Sequence, residues 1–426
     1  MGSTKDLVTT GKLGEQWYAP PTAVKFGYGP MQVKGTFSVA DLKKLIPESI
    51  IKNKAEALAM QQAAFAEYLQ YNHPEIPNSY YGILDKDFKR TDVQHLLSKG
   101  ETSSIVVMKL AHTPDSFCEG NLDKYRAALQ SGELQCGVAD VESIFRLGFP
   151  LGSSTFEDIF KAVRLGEKYE HLATYNETAA ELDKIRAMVS EQGLDIFEGL
   201  EELLQKKGLG TTIPNPGFVL KHFVYDTTTK FVSYGDLKIS EEDAEKLSGL
   251  SHESYQLWKN DMFPKIAAAQ IKFCMERNIF NIDGKSEIVA YHRMPVVADF
   301  QCTVDENREM IVVAVDGVEW LIPSNKEIQR AIFRKEGVYA AKAEALRRSV
   351  KDKGVFDHWK EYFPAVIKER KIDLVGVTEF SCDLMANAIM EVANRTLGHR
   401  VFDAKPLDSW VRDFVPYASK LQRQGD

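Results

Sequence analysis

The stretch FNIDGKSEI, Phe280 to Ile288, carries Asp283, Lys285 and Glu287 at every second position. Side chains on a strand alternate faces, so on a strand all three charges point the same way. Such a face is either a solvated edge or a site built for another charged group. A second run, REMIVVAVDGVEW, is apolar through Val315 and then gives Asp316 and Glu319. Two adjacent strands that end in carboxylates can hold Mg2+, a hard cation that takes oxygen ligands and bridges to phosphates. A lysine between the carboxylates meets phosphate as a point charge. Asp283, Lys285, Glu287 and Asp316 therefore make a candidate nucleotide–metal site, with the solvated strand as the competing reading.

Two further stretches suit anions. In TTGKLGEQWY, Gly11 allows close backbone approach and Lys12 neutralises phosphate, although the G-x-x-x-x-G-K-[ST] loop is absent. A plain N-terminal loop explains the same residues. In FRLGFPLGSSTF, Arg146 lies six residues before Gly152, which is followed by Ser153 and Ser154. A guanidinium fork, hydroxyls and backbone N–H groups together suit an anion, and a helix beginning near Thr155 adds its N-terminal dipole. The competing reading is a strand, a turn and a helix cap with a surface arginine. Nucleophile patterns are missing: there is no G-x-S-x-G, no C-x-x-C and no H-E-x-x-H. His222 and His292 read as core or surface residues.

These residues need elements to hold them. NKAEALAMQQAAFAEYLQY predicts an amphipathic helix, and SSIVVMKLAH, residues 103–112, a strand. VESIFRLGFPLGSS predicts a strand ending in a Gly-rich turn, and FVLKHFVYDTTTKFVSYGD is β-like. REMIVVAVDGVEWLIP predicts one buried strand. Residues 155–207 predict a helical block, SEEDAEKL opens a helix at a Ser cap, and the last 95 or so residues are mainly helical. The order is α+β without regular βαβ alternation.

Composition bounds the function. The chain has 426 residues, 44% of them hydrophobic, enough for two to three domains. A net charge of −8 and a pI near 5.7 argue against nucleic-acid binding through a general basic surface. The five cysteines are scattered and odd in number, which argues for reduced thiols in the cytosol and against a zinc site or a disulfide framework. No apolar run of membrane-spanning length occurs, and the N-terminal stretch has no signal-peptide core.

Taken in order, the pieces resemble the SAICAR synthetase (phosphoribosylaminoimidazole-succinocarboxamide synthase) family. TTGKLGEQWY looks like the family's early Gly-Lys stretch, and SIVVMKLAH like the last strand of its nucleotide lobe. VESIFRLGFPLGSS is close to its Val-Glu-x-x-x-Arg-Gly-Tyr-x-x-Gly-Ser, and NIDGKSE looks like its Asp-x-Lys-x-Glu strand. IPNPGF with YGDLKISEEDAEKL, ENREMIVVAVDGVEWLIPS and LDSWVRDFV follow in the family's order.

The resemblance implies a two-lobed, kinase-like α+β fold with ATP between the lobes. It places the nucleotide lobe over residues 1–112 and the metal and substrate site in 113–426. It implies ATP and Mg2+ as cofactors, and a cytoplasmic ligase that phosphorylates a carboxylate and lets an amino acid such as aspartate displace phosphate. Partners are small carboxylate and amino-acid substrates, without nucleic acid or membrane, and a homo-oligomer is compatible. Carried over, Glu287 and Asp316 bind Mg2+, while Lys285, Gly11, Lys12 and Lys109 serve the phosphates. Asp283 orients Lys285 or the amine, and Asp236 lies near substrate. Arg146, Gly152, Ser153 and Ser154 hold the substrate's phosphate.

The chain departs from the family in places. Where the family has Thr-Pro-Asp-Ser-Ser-Arg, this sequence reads Ile322-Pro323-Ser324-Asn325-Lys326-Glu327, with Lys326 in partial replacement of the arginine. Leu147 stands where the family has glycine. A rival alignment makes VVADFQCTVDENREM the acidic strand, with Asp299 first and Gln301 and Thr303 in place of lysine and glutamate. These changes point to a different acid, a different amine, or both. A small-molecule kinase and a non-catalytic nucleotide-binding descendant are the other readings.

Overall fold

The computed structural model describes residues 5–36, 51–150, 211–212, 217–231, 239–354 and 358–417. The expected helical block at 155–207 lies outside them. Sequence alternation and turn residues build three antiparallel sheets among the described residues. The first contains β1 (Lys5–Leu7), β2 (Gly27–Val33), β3 (Tyr80–Leu84), β4 (Arg90–Thr91) and β5 (Ile105–Leu110), in the order β1-β2-β5-β3-β4. The second contains β6 (Cys136–Pro150), β7 (Thr211–Thr212), β8 (Gly217–Thr228), β10 (Asp283–Tyr291) and β11 (Met294–Ala298), ordered β11-β10-β6-β8-β7. The third is small: β9 (Phe280–Asn281), β12 (Glu309–Val315) and β13 (Val318–Pro323). The mixture is α+β, as the element order predicts.

Between β1 and β2 lies α1 (Gly11–Trp17), and after β2 comes α2 (Lys54–Asn72), the expected helix. Helix α2 is buried on several sides through Leu58, Met60, Phe65 and Leu69, with Gln61 and Gln62 also enclosed. A helix apolar over so much of its surface belongs in a core, so the helix is the expected one but not the amphipathic one its sequence predicts. Shorter helices α3 (Val93–Ser98), α4 (Pro114–Cys118) and α5 (Leu122–Ser131) follow. The cap at Ser240, which accepts from Asp243 N, opens α6 (Glu241–Ser248), as the Ser-Glu-Glu-Asp signal predicts. Next come α7 (His252–Leu257), a π-helical turn at Trp258–Met262 and α8 (Phe263–Met275). Pro264 can neither donate to nor pack closely on the preceding turn, and the wider π-turn accommodates it. Trp258, in that turn, donates from Nε1 to Ser143 Oγ at 2.9 Å and so ties the helix to β6.

The C-terminal part is α9 (Glu327–Lys335), α10 (Val338–Lys353), α11 (Trp359–Glu369), α12 (Leu374–Leu397) and α13 (Leu407–Phe414). Helix α12 packs on α2, and the apolar side chains of both join one core. Among the described residues no helix is long and apolar enough to cross a membrane.

The run 309–323 corrects one expectation. It is not a single strand but a hairpin, with Val315 opposite Val318 and Asp316-Gly317 at its tip. Both tip residues have positive φ, +52° and +77°, the backbone a tight Asp-Gly hairpin turn requires. The turn lifts Asp316 out to solvent, where it pairs with Arg412 at 2.9 Å.

Candidate functional site

Strand β10 lies at the centre of the site. Its partner β6 sets Arg146 opposite Asp283 and Glu142 opposite Glu287. Directly opposed residues share a face, so the Val-Glu-x-x-x-Arg and Asp-x-Lys-x-Glu stretches merge into one charged surface. On the far side of β6, β8 sets Asp226 opposite Ile144 and Thr228 opposite Glu142.

Glu142 and Glu287 face each other, an arrangement that repels unless cations intervene. Lys285 Nζ lies 3.1 Å from Glu142 and 3.3 Å from Glu287. Lys230 contacts the same two carboxylates, at 3.5 Å for Glu142 and in a closer pair with Glu287. Lys285 also meets Glu306 at 3.1 Å. Lys5, reaching over from β1 in the first sheet, joins Asp299 at 2.5 Å and Glu306 at 3.3 Å. Four carboxylates thus meet three ammonium groups, a formal excess of one negative charge.

Burial works against the charge on Lys285, but Glu306, Glu287 and Glu142 override it and hold the amine well above its usual value. Lys5 and Lys230 are raised by the same balance, burial opposed by Asp299 and Glu306 for one and by Glu287 and Asp299 for the other. Burial acts to raise the Glu306 carboxyl, yet Lys285 and Lys5 bring it down to about 2. The lysines therefore stay protonated at neutral pH. They can neutralise phosphate or carboxylate oxygens, but they are not free bases or nucleophiles.

Supporting groups fix this cluster. Asp140, fully buried, accepts from the backbone N–H of Lys230 at 3.0 Å and of Phe231 at 2.8 Å, and binds Arg126. It shapes the turn that delivers Lys230. The loop carrying Asp299 and Glu306 rests on α2: Gln62 Oε1 accepts from Gln301 N at 2.5 Å and Gln61 Oε1 from Val304 N at 3.4 Å. Behind β10, Ser286 Oγ donates to Gln301 Oε1 at 2.7 Å, and Gln270 links Gln301 to Asn307. Gly284 is required there, since a Cβ would come within 2.6 Å of Asn307 Oδ1 and 2.7 Å of the Phe145 ring.

A second charged group adjoins the first. Arg146, buried, pairs with Asp226 at 2.6 Å and Asp283 at 3.4 Å. Arg308 grips both oxygens of Asp283, at 2.7 and 3.0 Å, and reaches Glu327 at 3.2 Å. Arg330 binds Glu327 at 2.5 Å. Burial acts to raise Glu327, but Arg330 and Arg308 hold it at about 2. Lys326 sits beside these arginines. Burial, then Arg330 and Arg308, bring its amine down to about 8. Among the described residues no carboxylate lies within ion-pair distance of it, so it is a cation suited to an incoming anion.

The structure gathers Asp283, Lys285, Glu287, Arg146 and Lys326 into one region. Asp316, the expected partner of Glu287, is not among them: the Asp-Gly turn carries it to the exposed tip, and the carboxylate opposite Glu287 is Glu142. Asp283 holds Arg308 and Arg146, not Lys285, and Arg146 is sealed between Asp226 and Asp283. Gly11, with φ +73°, begins α1, and Lys12 is exposed, 5.8 Å above the Phe88 ring. Lys109 is exposed on β5, its Nζ 3.4 Å from Asn78 O. Asp236, Gly152, Ser153 and Ser154 lie outside the described residues. The rival alignments meet in space: Ala298 is opposite Glu287, so Asp299 follows immediately beside it. Gln301 and Thr303 are buried in the supporting loop.

Lys5, Lys230, Glu142, Glu306 and Arg308 are members that sequence reasoning missed. Only Glu142 had a signal, its place in the Val-Glu-x-x-x-Arg stretch. Glu142 and Glu287 offer hard oxygen donors on facing strands, where Lys285 and Lys230 now balance them. The donor set fits Mg2+, which takes one or two carboxylates and shares phosphate oxygens.

No family model matches the chain, and no curated protein matches it. Among solved structures it is similar to the SAICAR-synthase from Saccharomyces cerevisiae complexed with SAICAR, at 12% identity over 93% of this chain and 95% of that one, with a TM-score of 0.46. It is similar to a phosphoribosylaminoimidazole-succinocarboxamide synthase from Ehrlichia chaffeensis at 12% identity, over 87% of this chain and 97% of that one, with a TM-score of 0.43. A SAICAR synthetase (Type-2) in complex with ADP matches at 11% identity, over 78% and 88% of the two chains, with a TM-score of 0.41. At values this low, the functional reading has to stand on the residues.

Proposed function

We propose that this protein is an ATP- and Mg2+-dependent ligase that joins a small carboxylate to the amine of an amino acid. One observation carries the proposal. The two stretches that resemble SAICAR synthetase motifs, separated by more than a hundred residues, lie on neighbouring strands with Glu142 opposite Glu287 and Arg146 opposite Asp283. Chance likeness in a sequence has no reason to pair in register.

Glu142 and Glu287 would hold Mg2+, and ATP would supply the phosphoryl group that turns a carboxylate oxygen into a leaving group. The chain's own residues do the positioning and neutralise charge. Lys285 and Lys230, permanently cationic, meet phosphate oxygens beside the two glutamates. Lys326, with Arg308 and Arg330 behind it, meets the anionic part of the substrate. Asp283 and Glu327 keep those arginines in place. In the reaction a C–N bond forms, the C–O bond to phosphate breaks, and phosphate departs with the electron pair while the amine loses a proton to water.

The test is ADP release from Mg·ATP across pairs of carboxylates and amino acids, starting with the imidazole ribonucleotide acid and aspartate. Dependence on both partners, with an amide as product, is the expected result. ADP formed with one acceptor alone would identify a kinase, and no ADP with any pair would point to a non-catalytic binder.

A further inference from the structure

Away from the charged surface, three side chains from three elements converge in the core. Cys274 lies in the last turn of α8, Cys302 in the loop after β11, and Glu309 at the start of β12. One ligand atom from each lies within 4.8 Å of the others, and all three residues are buried. Asn281, on β9, is directly opposite Glu309 and equally buried.

The two thiols meet each other, and Cys302 Sγ also donates to Gln270 O at 3.9 Å, but three other polar atoms here are unsatisfied. Among the described residues Glu309 Oε2 has no hydrogen-bond partner, and neither does either amide atom of Asn281. A buried carboxyl oxygen and a buried amide left unpaired are unfavourable, and a bound cation would satisfy them. Cys302 is also held at φ +53°, a backbone conformation uncommon outside glycine.

The sulfur separation narrows the chemistry. Cys274 Sγ and Cys302 Sγ are 3.5 Å apart. A disulfide needs about 2.05 Å. Two thiolates on one tetrahedral zinc, at bond lengths of about 2.3 Å, stand about 3.8 Å apart. A thiol pair with a carboxylate is too soft a set for Mg2+ or Ca2+ and suits zinc.

We propose that Cys274, Cys302 and Glu309, with the Asn281 side-chain oxygen as fourth donor, form a buried structural zinc site. Two thiolates and a carboxylate against Zn2+ leave one negative charge. The site pins α8 and the third sheet to the loop that carries Asp299, Glu306 and Arg308. It is independent of the proposed ligase activity. The C-x-x-C rule misses such a site because its ligands are spread from residue 274 to residue 309.

The test uses the full chain produced with zinc in the medium, and the same chain refolded with Co2+. The expected results are about one zinc per chain and, with cobalt, a tetrahedral spectrum with a sulfur-to-metal charge-transfer band. Glu309→Gln should release zinc to a chelator at least about tenfold more readily, and Cys302→Ser with Cys274→Ser should lose the metal. A natively folded chain with no bound zinc and no thiolate–cobalt band overturns the proposal. So does undiminished zinc in the double cysteine variant, or a mass two hydrogens lighter from a Cys274–Cys302 disulfide. Should the double variant fail to fold, the zinc content and cobalt spectrum of the unmodified chain still decide.

Discussion

Two charged groups share strand β10 and differ in kind. At the Glu287 end the cations are lysines, and Lys285 keeps 28% of its side chain exposed. At the Asp283 end they are arginines, and Arg146 and Asp283 keep 2% and 1%. Arginine's planar fork locks to a carboxylate through two bonds, whereas lysine is a point charge on a flexible stem that can exchange partners. The arginines therefore fix the geometry of β6, β8 and β10, and the lysines, including Lys326 beside the arginines, are the cations that can meet a ligand. Breaking each in turn should separate stability from activity.

The largest expected effect is on stability at the sealed end. Arg146→Met leaves Asp226 and Asp283 as buried carboxylates with a lost partner, and should cost about 3–5 kcal/mol in denaturant unfolding. A loss below about 1 kcal/mol would show that the arginine group is not what holds the strands together.

Acid tests both ends together. Glu306 belongs to the lysine group and Glu327 to the arginine group, and each carboxyl is held at about 2. Both folded values lie below the unfolded one, so their stabilisation is complete above about pH 5 and is lost as pH falls toward 2. A drop of this size corresponds to about 3 kcal/mol per group. Glu306→Gln and Glu327→Gln should each flatten the acid limb of a stability–pH curve. If neither changes its slope, these ion pairs are weaker than their geometry indicates.

Lys285→Met should act the other way from Arg146→Met. Because its amine is partly exposed, the stability loss should stay within about 1–2 kcal/mol. Loss of a fixed cation beside the reacting phosphates should lower ADP release by at least about 100-fold. A variant that keeps its activity would remove Lys285 from the site.

This contrast explains what was legible in the sequence. Local patterns carried through: the period-two charges of β10, the apolar stretch of α2 and the Ser240 cap each reflect neighbours a few residues apart. The partners of those charges do not. Lys5 reaches Asp299 across 294 residues, Lys285 reaches Glu142 across 143, and Arg146 reaches Asp226 across 80. No spacing rule encodes contacts that only the pairing of distant strands and the packing of one sheet against another create. Asp316 shows the opposite failure. The Asp-Gly pair between two apolar runs was a readable hairpin signal, and taking the run as one strand put Asp316 beside Glu287 instead of at an exposed tip.

The smallest effect discriminates within the cations themselves. Lys326 has its amine lowered to about 8, while Lys285 is raised well above its usual value. Below pH 8 Lys326 carries the charge that an anionic substrate would meet; above it the charge is lost, and Lys285 keeps its own. KM for the anionic substrate should therefore stay level up to about pH 8 and rise roughly tenfold per unit beyond it, with kcat less affected. Lys326→Arg keeps a charge at every accessible pH. It should remove the break in the KM profile even if its different shape raises KM overall. If the break persists in Lys326→Arg, the titrating group is elsewhere, and the division between fixed arginines, permanent lysines and one switchable lysine does not hold.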